Sequence, residues 1–127
     1  MKNICLLTLF LALQLCAQDK QLLTPYEKGN GNQTATYEET IAYFQLLDKN
    51  FETISMEEMG LTDSGEPLHI VTFNPDKKFD FKKIQKEKAV LLINNGIHPG
   101  EPDGIDATMM LFRDLALGKI KVPKNLV

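Results

Sequence analysis

Tryptophan is absent from the 127 residues, arginine occurs once, at Arg113, histidine twice, at His69 and His98, and cysteine twice, at Cys5 and Cys16. Both cysteines fall in a predicted leader, so the rest of the chain holds no thiol, although secretion would place it where disulfides are permitted. Thiol catalysis and cysteine-bound metal are therefore excluded. Positive charge is also scarce, with 14 Lys and Arg against 17 Asp and Glu, a net charge of −3. That balance offers no electrostatic footprint for nucleic acid or an anionic membrane surface, and neither is an expected partner. The long apolar run, residues 4–15, falls short of the roughly 20 residues of a spanning helix. What remains, 43% hydrophobic and 24% charged, is the composition of one globular domain.

Residues 1–17 read as a secretory signal: Lys2 is the positive n-region, residues 4–15 the apolar h-region, and Leu15-Cys16-Ala17 the cleavage site before Gln18. The chain is expected to be secreted or periplasmic. A lipid-modified Cys16 is the lesser reading, because Leu15 stands where such signals carry Gly, Ala or Ser.

Residues 18–35, with Gly29-Asn30-Gly31-Asn32, show no apolar period and read as a lead-in loop with little chemistry. Thr36 and Glu39 fit a capping box, and Tyr37, Ile41, Phe44 and Leu47 then recur at helical spacing. Two short runs, residues 52–59 and 68–73, flank Asp63-Ser64-Gly65-Glu66-Pro67 and predict a β-hairpin. The lysine-rich residues 75–88 predict a solvated loop or short surface helix.

Residues 89–93, Ala-Val-Leu-Leu-Ile, form a continuous apolar run with β-branched bias, which predicts a central strand buried on both faces. A turn at Asn94-Asn95-Gly96 leads to a helix over about residues 102–117, with Ile105, Met109, Phe112 and Ala116 as its apolar stripe and Gly118 as its stop. In open α/β sheets ligands bind at the carboxyl ends of strands, which is where residues 94–101 fall. That loop carries His98-Pro99-Gly100-Glu101, an H-x-x-E pair of nitrogen and oxygen donors of the kind Zn²⁺ accepts in catalytic sites. Gly100 permits a tight turn, and Pro102 disfavours the α region at Glu101 and suits a helix start. A carboxylate at a helix N-terminus is held ionised, as a metal ligand must be. Asp103 and Asp106 are candidates to strengthen that field or orient the ligands. The alternative reading makes His98 a loop histidine and the three acids dipole-complementing residues.

Over residues 36–117 the chain resembles the start of a zinc carboxypeptidase catalytic domain, the family of carboxypeptidase A. The resemblance rests on the helix opening Thr36-Tyr37-Glu38-Glu39-Thr40-Ile41, the hairpin of residues 59–69 and, most specifically, Leu92-Ile93-Asn94-Asn95-Gly96-Ile97-His98-Pro99-Gly100-Glu101. It implies an α/β fold with a mixed β-sheet flanked by helices, present only as its N-terminal part. It also implies a Zn²⁺ cofactor with His98 and Glu101 as two metal ligands, and a peptide or protein substrate cut near its C-terminus. In such enzymes zinc polarises the scissile carbonyl and acidifies a bound water, a Glu acts as general base and an Arg stabilises the oxyanion.

The family's third zinc ligand, catalytic Glu and substrate-binding Arg, Asn and Tyr follow the segment matched here. His69, within a hairpin strand, is expected to be partly buried and hydrogen-bonded, and Arg113 to have a structural or surface role. Residues 36–127 are accordingly expected to be the N-terminal part of a longer catalytic domain, inactive and marginally folded alone. Two other readings stay open. A zinc-dependent amide deacylase similar to succinylglutamate desuccinylase or aspartoacylase shares the strand, H-x-x-E, helix order. A non-catalytic secreted binding domain could keep the fold without the chemistry.

Overall fold

The computed structural model describes residues 22–98 and 100–127, so the predicted leader, residues 1–17, lies outside the described residues. The described part is a small mixed α/β domain with four helices and a two-stranded antiparallel sheet.

The lead-in is more ordered than its composition predicts. Leu22 is buried in the core, and Thr24 caps a one-turn helix, α1 (Pro25–Lys28), in a capping box with Glu27. The pattern Thr-Pro-Tyr-Glu had the chemistry for this turn: a hydroxyl, a proline at the first helical position and a returning carboxylate. A single buried leucine leaves no apolar period to read.

Helix α2 (Tyr37–Asn50) begins as predicted, with Thr36 and Glu39 exchanging capping hydrogen bonds. It buries Tyr43, Phe44 and Leu47, and the Phe51 N–H closes its end on the Leu47 carbonyl at 2.9 Å. The hairpin follows, β1 (Ile54–Leu61) against β2 (Pro67–Phe73), with Ile54 opposite Phe73 and Leu61 opposite Pro67. Pairing is irregular between Glu58 and Leu61, where Gly60 takes φ 123°. In the turn, the Thr62 hydroxyl donates to the Glu66 carbonyl and accepts from the Glu66 N–H, and Gly65 takes φ 85°, a backbone state that costs glycine little. Only the base of the hairpin, at Ile54, Thr72 and Phe73, is buried.

The lysine-rich stretch contains the short helix α3 (Phe81–Glu87), capped by Asp80 and anchored by buried Ile84. Lys88 departs from the expected solvated character. Its side chain is largely buried, with Nζ 2.6 Å from Asp76 and 2.9 Å from the Asn74 side-chain oxygen.

Helix α4 (Asp103–Ala116) lays Met109 into the core opposite α2, and Gly118 follows in the left-handed conformation at φ 70°. Leu47 and Met109 are both fully buried. Phe44 meets Phe112 edge to face, with centroids 5.6 Å apart, the arrangement that places a positive ring edge on a negative ring face.

The predicted central strand, residues 89–93, is a correction. It pairs on one side only, in a short parallel contact: Ala89 N–H to Asn125 O, Val127 N–H to Ala89 O and Leu91 N–H to Val127 O. Leu91 is 63% and Leu92 81% exposed. A continuous apolar run is buried only where strands flank both its edges and helices cover both its faces. Here two apolar clefts open beside it, of about 430 Å³ toward β2 and α2 and about 240 Å³ beside Leu126 and Val127, and Ile93 lines both.

Candidate metal site

The loop at the end of residues 89–93 turns back toward α4 through two glycines in the left-handed region, Gly96 at φ 68° and Gly100 at φ 84°. At Gly96 the turn is also a close approach: a Cβ there would lie 2.8 Å from the Ile105 Cδ1. At Gly96 the loop thus lies directly against the Ile105 side chain of its helix.

His98 and Glu101 are brought together, with His98 Nδ1 3.1 Å from Glu101 Oε2. Both side chains are about two-thirds exposed. Zinc ligands at about 2.0–2.2 Å in tetrahedral geometry stand roughly 3.4 Å from each other, so this pair needs only a few tenths of an ångström to share a cation. The donor set, one imidazole nitrogen and one carboxylate oxygen, also fits zinc. Among the described residues no third His, Cys, Asp or Glu joins them in a metal-binding group.

Glu101 precedes Pro102, the N-cap of α4, which makes no side-chain capping hydrogen bond. The unshared N–H groups and the positive end of the helix dipole therefore act on the Glu101 carboxylate and on Asp103 in the first turn. Asp106 does not orient the ligands, contrary to one of its expected roles. Its carboxylate is buried and turned to the lead-in, accepting from the Thr34 hydroxyl at 2.6 Å and the Ala35 N–H at 3.2 Å. It fastens α4 to the chain ahead of α2.

His69 is partly buried, as predicted, and lines the larger cleft with Asn94 and Asn95. Among the described residues its buried Nδ1 has no hydrogen-bond partner, which differs from the expected hydrogen-bonded role. Of the structural and surface roles expected of Arg113, the structure gives the structural one. Buried on α4, it donates from Nη1 to Glu27 Oε2 at 2.5 Å and to the Leu22 carbonyl at 3.3 Å, and from Nε to Asp114 at 2.9 Å. Tyr43 donates to the same Leu22 carbonyl at 2.8 Å. Burial alone would raise the Glu27 pKa, but the bonds from Arg113 and Thr24 outweigh it and hold the carboxyl below its ordinary value. Burial pushes the Tyr43 phenol up to about 12.

Sequence reasoning missed Asn95 as more than a turn residue. Its carboxamide donates to the Gly104 carbonyl at 2.9 Å and to the Thr108 hydroxyl, tying the start of the loop to α4. Asn-Gly marked a turn, but nothing in the pattern pointed to residues 9 and 13 positions on.

No protein-family model, curated protein or solved structure gives a significant match to the chain. Among the described residues no helix is long and apolar enough to cross a membrane.

Proposed function

We propose that this chain supplies two of the three protein ligands of a catalytic zinc in a secreted metallocarboxypeptidase. His98 and Glu101 hold the metal. The third ligand and the general base come from outside residues 1–127, and the substrate is the C-terminal end of a peptide or protein. The observation that carries the reading is the 3.1 Å approach of His98 Nδ1 to Glu101 Oε2 on a loop between an apolar extended segment and a helix N-terminus. When bound, zinc would activate a water and polarise the scissile carbonyl. The part of this chain is to present one imidazole nitrogen and one carboxylate oxygen together on a loop beside a helix N-terminus.

The exposed residues 90–93 and the clefts beside them support the further reading that the segment belongs to a larger mixed sheet of the carboxypeptidase type. Two ligands rarely hold a catalytic zinc, so residues 18–127 alone are expected to bind zinc weakly and to hydrolyse nothing.

The test is to purify the secreted protein made from the whole coding sequence, measure its zinc content and follow release of C-terminal residues from unstructured peptides. Near-stoichiometric zinc, and hydrolysis that a chelator stops and His98→Ala or Glu101→Ala abolishes, are expected. Chelator-insensitive hydrolysis, or full zinc content in both variants, would overturn the proposal.

A further inference from the structure

Neither member of the His98 and Glu101 pair is fixed by packing, since both side chains are about two-thirds exposed. The loop between residues 94 and 102 contains two left-handed glycines and so has unusual backbone freedom to lose. Some other contact has to set the distance between the strand side of the loop, which leads to His98, and the helix side, which starts at Glu101.

Asn95 makes that contact. Its Nδ2 donates to the Gly104 carbonyl at 2.9 Å and to the Thr108 hydroxyl oxygen. The Thr108 hydroxyl in turn donates to the same Gly104 carbonyl at 2.7 Å. The three groups close a triangle of hydrogen bonds. Gly104 is part of the fit, because a Cβ there would stand 2.6 Å from the Asn95 Oδ1 and 2.9 Å from its Cγ. A carboxylate in place of the amide would set oxygen against the Gly104 carbonyl and remove the donor that Thr108 accepts from.

We propose that Asn95, seated on Gly104 and Thr108, is a positioning residue that holds the His98 and Glu101 donor atoms at metal-sharing distance. The inference rests on the zinc reading of that pair. Preorganisation of ligands by their supporting contacts governs metal affinity, and loss of such support commonly weakens binding about 10- to 100-fold.

Two readouts test it, both on the secreted protein made from the whole coding sequence. Zinc affinity by competition with a chromogenic chelator is expected to fall about tenfold in Asn95→Asp and in Thr108→Val. Their double variant should lose no more than either alone, and Thr108→Ser, which keeps the hydroxyl, should bind as the wild type does. NMR order parameters of the loop amides at residues 96–98 and 100–101 should fall in Asn95→Asp without zinc present, while those of α2 stay unchanged. Wild-type zinc affinity in Asn95→Asp overturns the positioning role. If the wild type binds no zinc at all, the zinc reading fails instead, and the order parameters decide the role of Asn95: unchanged loop order overturns it, and lost order supports it.

Discussion

Two apolar regions meet opposite fates in this molecule. Leu47 on α2 and Met109 on α4 are fully buried, whereas Leu91 and Leu92, in a run more continuously apolar than either helix, are 63% and 81% exposed. The helices bury their stripes because each finds a complementary face, Phe44 against Phe112 and Leu47 near Met109. Residues 89–93 have one short neighbour, at residues 125–127, and open clefts beside them. Hydropathy states a demand for burial, and only neighbours on both edges and faces meet it.

The largest expected effect breaks this comparison most directly. Leu47→Ala is expected to destabilise the chain by about 2–5 kcal/mol, while Leu92→Ala changes stability by no more than about 0.5 kcal/mol. Urea denaturation of the two variants checks both, and equal costs would show that the apolar segment is as well packed as the helices.

Next in size is the tie between the lead-in and α4. Arg113→Leu leaves the partly buried Glu27 carboxylate without its guanidinium partner and is expected to cost about 2 kcal/mol, since removing one member of a part-buried pair strands a charge. Adding Glu27→Gln should recover part of the loss, and hydrogen exchange at residues 24–28 should quicken in the single variant. If the double variant is less stable than the single, the stranded charge is not the cause.

The same tie sets a pH dependence. The folded Glu27 pKa lies below the ordinary value of 4.5, so its contribution is fully present above about pH 4.5 and is lost as pH falls through the folded value. Tyr43 acts at the other limit. Its phenol ionises near 10 when unfolded and at about 12 when folded, so stability falls as pH rises from 10 toward 12. Thermal melts across pH 3–12 should show both losses, with Glu27→Gln flattening the acid limb and Tyr43→Phe the alkaline one.

The smallest stability effect belongs to the site. His98→Ala and Glu101→Ala are expected to change stability by less than about 0.5 kcal/mol, as for exposed positions without packing roles. A larger loss in a thermal melt would mean that the pair is a structural tie rather than a ligand pair awaiting a metal.

Local chemistry was the legible part of the sequence. The Thr36 and Glu39 capping box, the Gly65 turn and the Gly118 stop all depend on residues within a few positions, and the structure has each of them. The approach of His98 to Glu101 was legible for the same reason, as a three-residue spacing around a glycine. The contacts that fasten elements together were not. Glu27 and Arg113 are separated by 86 positions and Thr34 and Asp106 by 72, and no periodicity links them. The strand reading of residues 89–93 misjudged burial because an apolar run reports its own composition and not the presence of neighbours.

The two histidines allow the most direct test of the central claim, since one belongs to the ligand pair and the other lines a cleft. Zinc titrated into the 127-residue chain, with both imidazole rings followed by NMR, should move the His98 resonances saturably and leave those of His69 in place, with the response lost in Glu101→Ala. Movement of neither ring, or of His69 as far as His98, would contradict the metal site.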